Sequence, residues 1–116
     1  MTLEEWRDEH SHDDCWICGR SLTPYLSDCM KQDHHIASGV HRKDVVANLV
    51  VVCQNCHLGN NGLHDYSTWP IARQLALKRV MDFANYDRVS VNLLRGRQPE
   101  AITEAEVDKW ARRMSR

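Results

Sequence analysis

No stretch of this chain is long and apolar enough to cross a bilayer: the longest apolar run, "VVANLVVVC" at 45–53, is about half of what a membrane span needs. An export signal is lacking too, because "MTLEEWRDEH" is acidic where such a signal is basic and then apolar. A cytoplasmic protein with no membrane partner is therefore expected. Internal repeats are absent, and 42% apolar with 27% charged residues is the balance of an ordinary globular chain, without a disorder signature.

At 116 residues the chain is expected to form a single compact domain, small enough for a metal staple to add useful stability. It has almost no net charge, −1, but the two halves differ. Residues 1–66 carry five Lys/Arg against ten Asp/Glu, whereas residues 67–116 carry ten against six. A basic C-terminal part is a polyanion surface or a solvated helix face.

The five cysteines narrow the chemistry. Cys15 and Cys18 form one Cys-x-x-Cys element, and Cys53 and Cys56 form a second that runs directly into His57. That spelling matches a c-type haem site, but haem attachment follows export, so no haem is expected. In a reducing compartment a disulfide framework is disfavoured, and four thiolates satisfy a closed, tetrahedral, structural Zn²⁺. The 34 residues between the two pairs exceed a simple zinc ribbon, so the knuckles clamp an inserted element. Cys29 reads as a small buried hydrophobe.

Local signals place the elements. Thr2 and Glu5 have capping-box spacing for a helix over 3–10, whose Leu3 and Trp6 pack inward. Gly19 supplies the positive φ that closes the first knuckle. "CMKQDHHIAS" and the β-branched "VVANLVVVC" read as two extended arms, and "HLGNNGLHD" as a short helix running into a break. "STWPIARQLALKRVMDFAN" has helical period, with Ser67 or Thr68 as cap, Pro70 in the first turn, and Trp69, Leu75, Val80 and Phe83 facing a core. "RVSVNLLRGRQP" fits helix or strand and ends at Gly96 and Pro99, while Thr103 and Glu106 open a last helix containing Trp110. His10 and His12 read as polar surface, and His41 as a solvated turn residue or a phosphate contact.

Between the knuckles stands "DHHIASGVHRKDVVANLVVVCQNCH". Asp33, His34 and His35, then Asn48 in "NLV", then His57 after the second knuckle closely resemble the HNH endonuclease family, the ββα-metal (His-Me finger) nucleases. The resemblance covers about residues 15–64. It implies an α+β fold: a small ββα-metal core over residues 1–66, clamped by a four-cysteine zinc site, with appended C-terminal α-helices over 67–116.

The same resemblance implies metal-dependent hydrolysis of DNA phosphodiester bonds. His35 takes the place of the general base, and Asn48 that of the residue whose amide fixes the loop and orients it. His34 and His57 take the places of the ligands of one divalent cation, with Asp33 and His64 as rivals. Histidine as first ligand makes that site softer, tolerating Ni²⁺, Mn²⁺ or Zn²⁺ as well as Mg²⁺. Arg42, Lys43, Arg73, Lys78, Arg79, Arg95 and Arg97 are the candidate DNA contacts, with Arg88, Arg112 and Arg113 as further cations on the helices. A homodimer would reconcile one site per chain with double-strand cuts. The alternative is a zinc-stabilised nucleic-acid-binding module that never cuts, or an adaptor that binds a protein through its C-terminal helices.

Overall fold

Thr2 opens helix α1 (Leu3–Glu9) by a reciprocal capping box: its hydroxyl accepts from the Glu5 N–H, and the Glu5 carboxylate accepts from the Thr2 N–H, both at 3.1 Å. Trp6, on the inward face, is completely buried. The computed structural model describes residues 1–19, 31–53 and 69–114, and residues 31–33 by their backbone alone.

The two extended arms form an antiparallel hairpin. Strand β1 (Lys31–His35) pairs with β2 (Leu49–Cys53) in a register running from Lys31 opposite Cys53 to His35 opposite Leu49. All five residues of β2 are buried, which accounts for a continuous apolar run in place of alternation. The second arm is shorter than the sequence suggests. Val46–Asn48 form a 3-10 turn, because Asn48 is committed to the loop ahead of it and the ladder can begin only at Leu49.

Helix α2 (Ile71–Met81) starts two or three residues later than a cap at Thr68 or Ser67 implies, with Pro70 as the extended cap and its carbonyl accepting from Arg73 and Gln74. Ser67 and Thr68 lie outside the described residues. The helix also ends earlier than expected. Asp82 turns inward at φ −149°, a 3-10 turn (Phe83–Asn85) follows, and Phe83 is left 71% exposed. Val80, at 39%, is exposed as well, so neither residue packs into the core as the helical period suggested.

Helix α3 (Arg88–Leu94) settles the ambiguous segment as helix. The Asp87 carboxylate accepts from the Ser90 N–H at 3.1 Å, and Gly96 at φ +70° ends the element. Helix α4 (Glu104–Met114) has the expected Thr103–Glu106 capping box. It is amphipathic, burying Val107 and Ala111 as it packs along α2. By contrast α2 is covered on most of its circumference, Gln74 and Lys78 included, because α4 and β2 both pack on it.

One continuous core joins Trp6 and Trp16, all of β2, Leu75 to Leu77, Val91 and Val107. Inside it sits a charge. Lys78 is fully buried; its ammonium donates to the Asp82 carboxylate at 2.7 Å and to the Leu49 carbonyl at 2.8 Å. It also stands 4.8 Å from the ring centroid of Trp6 and 5.6 Å from that of Trp16. The same Asp82 oxygen accepts from the Trp6 indole at 2.8 Å, and the other accepts from Asn85 at 2.9 Å. The expectation that Lys78 contacts DNA is thereby corrected, because its ammonium has no access to solvent. His10, read as surface, is corrected too: it is buried against Trp6 and Trp16 and pairs through Nδ1 with Asp13 at 2.7 Å.

Burial alone would push the Asp82 carboxyl up, but the hydrogen bonds from Lys78, Trp6 and Asn85, with the charge of Lys78, together hold it below its ordinary value. A carboxyl lowered on folding contributes stability that is complete above the ordinary carboxylate range and is lost as pH falls through the lowered pKa. Lys78→Met leaves Asp82 without its counter-ion, so we expect a loss of about 3–5 kcal/mol in urea unfolding at neutral pH. Because the same variant removes what lowers the Asp82 pKa, its loss of stability on acidification should be shallower than that of the wild type.

Candidate functional site

The first knuckle is built by backbone geometry. Gly19 at φ +73° donates its N–H to the Cys15 carbonyl at 2.9 Å, and the Trp16 N–H donates to the Val51 carbonyl at 3.0 Å, docking the turn beside β2. The Cys53 N–H then points at Cys15 Sγ from 3.3 Å. As a result the sulfurs of Cys15, Cys18 and Cys53 all lie within 4.8 Å of one another, with Cys18 and Cys53 3.9 Å apart. Tetrahedral zinc with Zn–S bonds of about 2.3 Å separates its sulfurs by about 3.8 Å, so the cluster fits a metal ion. Cys56, the expected fourth ligand, lies outside the described residues, as do Cys29, His57 and His64.

The hairpin loop holds the second group of side chains. Asn48 is fully buried at its base. Its side-chain oxygen accepts from the Ala37 N–H at 2.7 Å, and its amide donates to the carbonyls of Ala37 and Lys43, each at 3.0 Å. One side chain thus clamps both limbs of the loop between His35 and β2. That is the loop-fixing part expected of Asn48.

His35 stands at the end of β1, where its Nε2 meets Asp44 Oδ1 at 2.6 Å across the clamped loop. The hydrogen bond from His35 holds the Asp44 carboxyl below its ordinary value, helped by the charges of His35, Arg42 and Arg7. An ionised carboxylate can only accept, so Nε2 carries a proton, and Nδ1 is the ring nitrogen left to act as a base. Sequence reasoning missed Asp44, because nothing in nine residues of separation signals that the loop folds back.

The strand register treats the two histidines differently. His34 is opposite Val50 and His35 opposite Leu49, so their side chains leave β1 on opposite faces. A ligand lying over one face would meet only one of them; reaching both requires a position at the strand end. The side chain of Asp33, the rival first ligand, lies outside the described part.

The expected cations separate into two groups. Arg79 is paired with Glu104 and Asp108, each at 3.3 Å, Arg88 with Glu100 and Glu104, and Arg112 with Asp108. Arg73 lies 3.6 Å from the ring centroid of Trp69 and 5.3 Å from that of Trp110, while Arg113 lies 4.9 Å from that of Trp110. Arg42 and Lys43 are exposed within the clamped loop and form no ion pair among the described residues. Arg95 and Arg97 are likewise without an ion pair there, and burial together with the charge of Arg97 lowers the pKa of Arg95. They flank Gly96, where an added Cβ would sit 3.7 Å from the ring of His41. The turn after α3 therefore abuts the hairpin loop that carries Arg42 and Lys43. His41 itself is exposed.

Comparison with models of protein families, with curated proteins and with solved structures found no match. Among the described residues, no helix is long and apolar enough to cross a membrane.

Two outcomes follow from this geometry. Cys15→Ser should abolish stoichiometric zinc, measured by elemental mass spectrometry of the purified protein, and lower unfolding stability by more than about 3 kcal/mol. Asn48→Ala strands the buried Ala37 N–H and carbonyl, so it should cost about 3 kcal/mol in urea unfolding. It should also increase hydrogen exchange at Ala37, which lies in the loop it clamps.

Proposed function

We propose that this protein is a metal-dependent endonuclease of the HNH type that hydrolyses phosphodiester bonds in DNA. The observation that carries the reading is the His35–Asp44 pair, held at the end of β1 by the Asn48 clamp, with Arg42 and Lys43 exposed in the same loop and Arg95 and Arg97 in the turn that abuts it. It combines with the order of residues that resembles the family and with the cysteine cluster that fits a structural zinc ion. The two-stranded hairpin supplies the ββ part; the helix expected after the second knuckle falls outside the described residues.

In this mechanism the four cations hold the phosphates on either side of the scissile bond by charge. Asp44 keeps the His35 ring in the tautomer with its proton on Nε2, so Nδ1 accepts a proton from the attacking water. As that proton moves, the imidazolium is stabilised by the Asp44 carboxylate at 2.6 Å. Asn48 keeps Asp44 and the two loop cations in register with β1. His34 and His57 would hold the divalent cation, which supplies charge stabilisation for the pentacoordinate phosphorus and the departing 3′ oxygen.

The test is plasmid cleavage by the zinc-loaded protein with Mg²⁺, Mn²⁺, Ni²⁺ or additional Zn²⁺, and with EDTA as control. His35→Ala should abolish metal-dependent nicking, and Asp44→Asn should slow it about 10- to 100-fold, while both keep DNA affinity. Intact DNA with every metal, alongside salt-sensitive binding, would instead establish the zinc-stabilised binding module. Cleavage by His35→Ala at the wild-type rate would remove His35 from the mechanism.

A further inference from the structure

The sharpest departure from the expected helical pattern leaves a surface that the catalytic reading does not use. After α2 breaks at Asp82, the chain's single phenylalanine, Phe83, projects 71% exposed, next to exposed Val80 and Met81. Immediately beside it is a groove of about 350 Å³ between Trp16, Trp69, Leu77, Met81 and Met114. Val80 lines both this groove and the shallow concavity that contains Phe83, so knob and hole lie side by side on one face.

The charges on that face are arranged in the same paired way. Arg73 borders the groove, stacked on Trp69, and neither it nor Arg113 has an ion pair among the described residues. Burial and the nearby charge of Arg113 both lower the pKa of Arg73, the mark of a cation set in an apolar rim without a counter-ion. The groove also adjoins, through Trp16, Ile17 and Met81, the concavity of the first knuckle, which carries the acidic Asp13 and Asp14. Asp13 is engaged by His10 and Trp16, while Asp14 is exposed.

We propose that this face is an isologous dimer interface, in which Phe83 of each protomer seats in the groove of a second copy of the chain. A two-fold axis requires a patch to contain both members of every contact, and here adjoining parts of the surface hold an aromatic knob, an apolar groove, a cation without an ion pair among the described residues, and carboxylates. Tryptophan, arginine and methionine around a phenylalanine anchor are the residue types that carry protein interfaces. In the assembled pair the incoming Phe83 ring lies by Arg73, and Asp14 of one protomer faces the Arg73–Arg113 pair of the other. Phosphate contacts alone would leave the apolar knob and hole exposed, which disfavours a nucleic acid as occupant. The inference does not depend on the nuclease reading.

The test is analytical ultracentrifugation of the full zinc-loaded chain over a range of concentrations, with light scattering as a second measure of mass. The expected result is a concentration-dependent dimer. Phe83→Asp should raise its dissociation constant at least about 30-fold while leaving the thermal midpoint and zinc content of the protomer unchanged. Phe83→Ser serves in its place should the aspartate variant unfold. Val40→Asp, at a residue 96% exposed elsewhere on the surface, should leave the dimer intact. A wild-type chain that stays monomeric at high micromolar concentration overturns the proposal, as does a dimer that survives loss of Phe83. A monomer that instead binds an acidic, apolar peptide through Phe83 would also overturn it and make the face a docking site for another protein.

Discussion

A single buried ammonium ties together the parts from which the candidate site is assembled. Lys78 joins α2 to the Leu49 carbonyl of β2, and through Asp82 it reaches the Trp6 indole of α1. Its charge also stands over Trp16, which belongs to the first knuckle. Leu49 pairs with His35 across the hairpin, so the ammonium lies one strand away from the candidate base. Burying a charge carries a large desolvation cost, offset here only because Lys78 has two oxygen partners and two aromatic faces in fixed positions. Such a centre tolerates few arrangements of the four elements around it, and that restriction holds knuckle, strand and helix in one geometry.

The consequences run outward in two directions. Toward the hairpin, a fixed β2 gives Asn48 a rigid base from which to clamp the loop, and the clamped loop brings Asp44 back to His35. Toward the opposite end of α2, drawing Asp82 inward breaks the helix and throws Phe83 out. The clamped loop and the exposed apolar knob are thus two results of satisfying one buried charge. This coupling also divides the cations by role. Lys78 is structural, Arg79, Arg88 and Arg112 are tied to acids of α4 and the segment before it, and the uncompensated ones sit around the hairpin loop and in the Trp69–Trp110 stack.

Much of the local structure is written in short-range chemistry. Thr2 with Glu5, Thr103 with Glu106, and the positive φ of Gly19 and Gly96 concern residues a few positions apart, and each appears where the sequence places it. The hairpin and the pairing of Cys15 and Cys18 with Cys53 are legible for a related reason: β-branched runs and Cys-x-x-Cys spacings have few alternative uses. Asn48 as a loop-fixing residue was legible from its place in the ordered series of histidines. What failed were statements about which side of an element faces inward. Val80 and Phe83 share the helical period of Leu75 and Trp69, yet Val80 falls on the exposed side of the last turn of α2 and Phe83 lies beyond a break that no local signal announces.

The sequence by itself determined the caps of α1 and α4, the hairpin, the cysteine cluster and the presence of a histidine-rich insertion after the first knuckle, because each depends on bonds or torsions within a short span. Only the tertiary structure decided that Lys78 is a core residue, that His10 packs against two tryptophans, that Asp44 partners His35, and which arginines lack an ion pair among the described residues. The physical reason is common to all four. The state of a charged or titratable side chain is set by the distance to groups that the chain brings near from far along its length, and by whether water reaches it. Neither quantity exists until the elements have packed.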